Sequence, residues 1–325
     1  MKFEHKFNFN INKLKDIKGY DVRSYKDIVI MNVSTINNPK NNTLIFSSIW
    51  NAEIENNLII IKDSLILITN RTKEINEKIK KNNQCIFVDN PRKEYAIILK
   101  SILKNNNKKR KYKQLDCNCI IGENVFIGKN VEIEPFVFID HDVKIGDHCV
   151  IKSGVHISSY VEIGNDTMIR ENSVIGGPGF GIERATDGIP IKIPHIGGVK
   201  IGENVEVGAL NSIVSGTMEP TVLEDYVITD DLVFIAHNCK IGKGTVVIAC
   251  AEVSGSTIIG ENSSIGPNAA LMQHIQLGKN CIVGLGAVVT KSFGDHEIIA
   301  GNPADSMENV KLIRKLLKKK IDNLK

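Results

Sequence analysis

Three residues have the types and the spacing to do chemistry. His237 lies in Ile235-Ala-His-Asn-Cys-Lys-Ile-Gly242, and Gly255 lies 18 positions on, in Val253-Ser-Gly-Ser256. His274 lies in Leu271-Met-Gln-His-Ile-Gln-Leu-Gly278, 37 positions after His237. A neutral imidazole accepts a proton near pH 7. A backbone N–H beside it binds the oxyanion that forms when a carbonyl is attacked. No hydroxyl or thiol nucleophile stands beside a base in this set, which favours direct acyl transfer to an amine or hydroxyl. His237 would take the proton, the Gly255 N–H would hold the tetrahedral oxygen, and His274 would position donor or acceptor. Holding both substrates along one groove would supply much of the rate by orientation. Glu219 precedes His237 by the same interval that separates His237 from Gly255, and is a candidate to orient it. The plainer alternatives are a structural His237 and a turn glycine at 255.

This row exists only if three hexapeptides make one turn of a coil, and the surrounding pattern predicts that. Read in sixes from Leu223 to Val289, eleven of twelve positions are aliphatic. Upstream, Ile occupies ten successive positions at spacing six, from Ile121 to Ile175. A period of six fits neither a helix nor an alternating strand and is the signature of a parallel β-helix built from hexapeptides. Three sixes make a triangular coil, so equivalent residues of successive coils stack about 4.8 Å apart and the His–Gly–His row spans roughly 10 Å. The aliphatic residue of each six points inward and the small residue after it eases the corner. The pattern breaks at 177–198, an ejected loop of the kind that is usually functional. It slips again at Ser215-Gly-Thr-Met-Glu-Pro220.

Residues 1–103 lack the sixfold pattern and predict a small α/β domain. Strands are expected at 27–33, 43–46, 58–61, 65–69 and 85–89, and helices at 72–81 and 93–103, with Pro91 near the first position of the second. Residues 104–114 read as a basic linker, or as a phosphate- or carrier-binding patch. The β-helix is expected over 115–299. In the tail, 300–325, Val310, Ile313, Leu317, Ile321 and Leu324 mark one face of an amphipathic helix. Its basic face would meet an acidic carrier protein or water.

Composition bounds the rest. Over 325 residues, 42% are hydrophobic and 24% charged, which suits a folded core. A net charge of +4 gives no argument for nucleic acid. The seven Cys are dispersed and lack paired CxxC spacing, so no metal site is expected and reduced thiols in a cytoplasm are. The first residues hold no apolar signal-peptide core, and no apolar run is long enough for a transmembrane segment. His141, His148, His156 and His296 read as surface residues. The abundance of Asn, Ile and Lys reads as genome base composition.

The segment 235–242 resembles the hexapeptide-repeat acyltransferases, most closely the UDP-3-O-acylglucosamine N-acyltransferase family of lipid A assembly. Phe180-Gly181 with Lys192-Ile-Pro-His195 looks like that family's loop, and 215–221 looks like its register-changing turn. His274 falls where its second His is expected. Val88-Asp-Asn-Pro-Arg92 looks like its N-terminal sugar-nucleotide domain. The resemblance implies a left-handed β-helix and a bacterial, cytoplasmic homotrimer with sites between subunits. It implies His237 as general base and Gly255 as oxyanion donor. It also implies a nucleotide-linked amino sugar as acceptor, and an acyl thioester on acyl-carrier protein or coenzyme A as co-substrate, with no tightly bound cofactor. Phe46 matches the family's uridine-stacking ring, and Trp50 would replace the tyrosine missing after it. Asp230, Asp231, Phe234 and Asn238 stand where the acceptor should bind, with Asp231 and Phe234 departing from the family's Asn and Gln. Gly301, Asn302, Pro303 and Ala304 look more like the donor-binding tail of acetyl-CoA-dependent sugar acetyltransferases. A β-helix scaffold without catalysis is the alternative of another class. The zinc carbonic anhydrases of the same superfold need two His five apart, and no two of the eight His are.

Overall fold

The computed structural model describes residues 7–18, 20, 25–72, 74–105, 111–115 and 118–322. The chain divides into two compact units, one of residues 1–109 with 180–196, the other of 110–179 with 197–325.

The first unit opens with β1 (Phe9–Asn10), α1 (Leu14–Lys18) and β2 (Val29–Ile30), with β1 and β2 antiparallel. Its centre is a parallel sheet in the order β3 (Asn32–Val33), β4 (Thr43–Ser47), β5 (Leu65–Thr69) and β6 (Gln84–Val88). All five residues of β5 are buried, as a strand covered on both faces requires. Helices α2 (Ala52–Leu58), α3 (Glu77–Asn82) and α4 (Pro91–Asn105) connect and flank the strands. Tyr95, Ala96, Ile98, Leu99 and Ile102 form the buried stripe of α4, and the Asn90 side chain caps it by accepting the Lys93 N–H at 3.0 Å.

The expected strand at 58–61 is absent. Asn51 caps α2 by accepting the Ile54 N–H, and Ile54, Leu58 and Ile61 are buried while Ile60 is exposed. Those burials follow a helix-face period of four and three, which a short apolar run can hide. Helix α3 is shorter than the expected 72–81.

The ejected loop also differs from its expected place. It forms a hairpin, Ile182–Arg184 against Pro190–Lys192, and belongs to the N-terminal unit. Glu183 ties it there, accepting from Arg92 Nη1 at 2.7 Å and from Asn90 Nδ2 at 3.2 Å.

The second unit is a left-handed parallel β-helix whose strands form three sheets of ten, ten and eight. Strand partners lie one coil apart, as Phe138 with His156 and Lys144 with Glu162, a sequence step of 18. The step is 38 across the hairpin, Ile163 with Ile201, and 22 across the 215–220 turn, Ile213 with Ile235. The aliphatic column, from Ile139 through Ile241 to Val289, is fully buried. Corners place one residue at positive φ, often Asn, as at Asn124, Asn172, Asn238 and Asn280. Asn tolerates this conformation better than most residues, so its abundance has a structural use beyond base composition. The glycines beside the column serve close approach: a Cβ at Gly242 would lie 2.7 Å from the backbone of Glu261 on the next coil.

Within the basic stretch, Lys104 and Asn105 complete α4, and Tyr112–Gln114 is a strand antiparallel to Ile120–Gly122. The end of the expected linker is therefore the edge of the first coil; 106–110, 116 and Cys117 lie outside the described residues. His141 is buried, not a surface residue: its Nδ1 accepts the Glu123 N–H at 2.9 Å and its ring packs on Tyr112. His156 is half-buried and stacked on Phe138, with burial lowering its pKa. At the other end, Ile298–Gly301 pairs with Ile282–Val283 and turns back into Ala304–Ser306. Helix α5 (Met307–Asp322) follows with no residue buried; Leu324 lies outside the described residues. Among the described residues, no helix is long and apolar enough to cross a membrane.

Candidate active site

Strand register fixes the row. Phe234 pairs with Glu252 and Glu252 with Ala270, so His237, Gly255 and Gln273 occupy one corner position on successive coils. Asn238, Ser256 and His274 occupy the next, all at positive φ. The spacing of 37 thus brings His274 to the same corner, one position along. Backbone bonds lock the coils together there: Ser256 N–H donates to His237 O at 2.8 Å and His274 N–H to Gly255 O at 3.0 Å.

Gly255 is buried, His237 half-buried and His274 exposed. A Cβ added at Gly255 would lie 2.7 Å from both Cε1 and Nε2 of His237, so the ring occupies space that any side chain would fill. The Gly255 N–H has no hydrogen-bond partner among the described residues. Some corner amides at this position are bonded, as Lys129 N–H to Asp147 and Glu203 N–H to Asp225, whereas that of Gln273 on the next coil, like that of Gly255, has no partner among the described residues. The Nε2 edge of the imidazole therefore lies against the Gly255 backbone, whose amide is open. Cys239, two residues from His237, is not part of it. It is buried, its thiol donates to Ser254 O at 3.1 Å, and burial pushes its pKa to about 11.

Asn238 is placed beside the site but is engaged by protein. Its Oδ1 accepts the Thr217 N–H at 2.7 Å, its Nδ2 donates to Thr217 Oγ1 at 3.2 Å, and its own N–H donates to Thr221 Oγ1 at 2.9 Å. Nδ2 also lies 3.3 Å from His237 Nδ1. Asn238 thus clamps the 215–221 turn against the His237 corner. Sequence reasoning took that turn for a change of register and missed Thr217 and Thr221, because their partner lies across the irregular step.

Other expected residues are placed differently. Asp230 and Asp231 sit at the preceding corner. Asp230 accepts the N–H groups of Asp231 and Ala249, at 2.8 and 3.3 Å. Asp231 accepts from Arg170 Nη1 at 3.0 Å and from the Ala209 N–H at 2.8 Å. Both carboxylates tie coil to coil. Phe234 points outward from its strand, between Ser212 and Glu252, and is exposed. In the N-terminal unit, Phe46 lies near the end of β4 with its ring 5.0 Å from that of Tyr95, and Trp50 packs against the core of Ile45, Ile54 and Leu58. Gly301, Asn302, Pro303 and Ala304 make the turn that closes the last hairpin, with Ala304 buried.

Comparison with known proteins gives this geometry a context. The family described as bacterial transferase hexapeptide (six repeats) matches residues 125–159, 142–177 and 256–291. A UDP-3-O-acylglucosamine N-acyltransferase from Campylobacter lari is 35% identical over 287 residues, 85% of this chain and 88% of that protein. One from Helicobacter hepaticus is 36% identical over 253 residues, 75% and 78% of the two chains. With the relative from Janthinobacterium, 40% identical over 125 residues, the match spans only 38% of this chain and 35% of that one. Among solved structures, a UDP-N-acetylglucosamine acyltransferase from Bacteroides fragilis is 27% identical with a TM-score of 0.52, over 61% of this chain and 76% of that one. The Campylobacter jejuni enzyme of that name, 24% identical with a TM-score of 0.54 over 65% and 81%, shares the fold. Over most of its length, then, this chain belongs to the UDP-3-O-acylglucosamine N-acyltransferase family.

Proposed function

We propose that the protein moves an acyl group from a thioester to the amino group of a nucleotide-linked amino sugar. The observation that carries this reading is the His237 ring lying against Gly255, whose N–H is unbonded among the described residues. His237 removes a proton from the amine as its nitrogen attacks the thioester carbonyl. The Gly255 N–H stabilises the oxyanion of the tetrahedral intermediate. Collapse breaks the C–S bond, and the proton held by His237 passes to the departing thiolate. His274, exposed one position along the same corner, holds donor or acceptor.

The names of the relatives support UDP-3-O-acylglucosamine as the acceptor, with Phe46 and Trp50 as the rings that hold its base. The donor is an acyl-carrier protein or coenzyme A thioester, with no tightly bound cofactor. The working form is a cytoplasmic homotrimer with sites between subunits.

The test follows thiol release from acetyl-CoA and from 3-hydroxyacyl-carrier protein, each against UDP- and dTDP-linked amino sugars. His237→Ala should lower kcat by about 10²-fold or more, as loss of a general base does. Turnover with acetyl-CoA and an amino-deoxy sugar alone would make the protein a glycan-tailoring acetyltransferase. Near-normal turnover in His237→Ala would remove the mechanism.

A further inference from the structure

The N-terminal unit contains a cavity of about 590 Å³ that Phe46 and Trp50 do not line. It opens above the carboxyl ends of β5 and β6, where Asn70 follows Thr69 and Asp89 follows Val88. Open parallel sheets hold ligands on that side, in a cavity of this size range. Lys93, from the first turn of α4, and Arg184, from the inserted hairpin, complete the wall.

The acceptors and donors around this cavity are unequally matched. The Asp89 carboxylate accepts from Asn70 Nδ2 at 2.7 Å, and Glu94 accepts the Tyr20 hydroxyl at 2.7 Å. Glu183, beside Arg184, is held by Arg92 and Asn90. The donors are less committed. The Lys93 ammonium has no partner among the described residues, and the Arg184 guanidinium makes a single bond, from Nη1 to Gly188 O at 2.9 Å. Phe87, on the cavity wall, leaves 44% of its surface exposed and offers a flat apolar face. Two cationic donors with spare hydrogen-bonding capacity, beside an aromatic plane and two carboxylates that each already accept a bond, fit a ligand with anionic oxygens and a ring.

We propose that this cavity is a binding site for a small phosphate-bearing ring compound, separate from the residues assigned to the acceptor. Lys93 and Arg184 take the phosphate oxygens and Phe87 stacks on the ring. Because Arg184 sits on the hairpin that Glu183 fastens to α4, the hairpin supplies half of the anion contact. The proposal stands whether or not the acyltransferase reading does.

Isothermal titration of the full chain with UMP, AMP and glucose 1-phosphate tests it, with inorganic phosphate as the probe that lacks a ring. At least one ring compound should bind saturably. Lys93→Ala and Arg184→Ala should each weaken it about tenfold, the worth of one charged hydrogen bond. Phe87→Ala should weaken the ring compound and leave inorganic phosphate unchanged, while glucose 1-phosphate, which carries no base for Phe46 and Trp50 to hold, should bind equally to Phe46→Ala and Trp50→Ala. All three side chains are at the surface or half-buried, and circular dichroism checks that each variant is folded. No saturable binding by any probe would overturn the proposal. So would binding indifferent to Lys93→Ala and Arg184→Ala, or binding abolished by Phe46→Ala, which would place the ligand in the acceptor site.

Discussion

At the scale of single residues, Gly255 makes the sharpest demand on the site. Its φ does not require glycine; the His237 ring does, because a Cβ would sit 2.7 Å from two ring atoms. Gly255→Ala should displace the imidazole and lower kcat by more than tenfold, with the melting temperature within a few degrees of the parent. An unchanged kcat would show that the ring position is immaterial. The thiols carry a second prediction. Cys250 is exposed, whereas burial raises Cys239 to about 11 and so suppresses its thiolate near neutral pH. A disulfide reagent at pH 8 should label Cys250 in the native protein and Cys239 only after denaturation, as peptide mapping would read directly. Rapid native labelling of Cys239 would contradict its burial in the coil. The His237–Gly255 pairing was legible because a coil repeats every three hexapeptides and distance along the chain becomes distance in space. The role of His141 was not. It occupies the corner position of His237 but fills it differently, accepting a backbone N–H from the coil before. Periodicity locates a side chain without revealing which amide lies open beside it.

At the scale of elements, regular spacing was readable and irregular steps were not. Ten isoleucines at spacing six specify coils, whereas the steps of 38 and 22 depend on how a loop folds. The inserted hairpin shows this best. Its sequence announced only a departure from the pattern, while its fastening depends on Glu183 meeting Arg92 and Asn90, both far away along the chain. The misread segment 58–61 has the complementary cause: four apolar residues in a row fit a strand or the end of a helix, and the cap at Asn51 decides between them. The hairpin tie can be tested alone. The Arg92–Glu183 pair is partly exposed, so its stabilisation is modest, on the order of 1 kcal/mol or less. Glu183→Ala should therefore leave global unfolding nearly unchanged while amide exchange across 182–192 rises several-fold. Unaltered exchange there would mean that backbone pairing alone holds the hairpin in place.

At the scale of the whole molecule, the second unit presents more apolar surface than a lone chain favours. Phe136, Leu210, Leu232 and Leu285 stand on its corners, each more than half exposed. Helix α5 repeats the problem, with Leu312, Ile313, Leu316, Leu317 and Ile321 at least half exposed and no residue buried. An isolated helix of 16 residues is marginal in water and draws its stability from packing an apolar face. Exposed apolar patches of this kind mark association sites, and closed symmetric association is the common solution. These features, with the family resemblance, support the trimer proposed above. Sedimentation equilibrium should give three times the 35.9 kDa of one chain across a wide concentration range. If α5 packs within that assembly, Leu316→Glu with Leu317→Glu should lower helicity by far-ultraviolet circular dichroism and weaken association together. A single-chain mass for the parent protein would rule out the trimer. A stable trimer with helicity indifferent to both charges would instead assign the assembly to the coil faces and leave α5 to another partner.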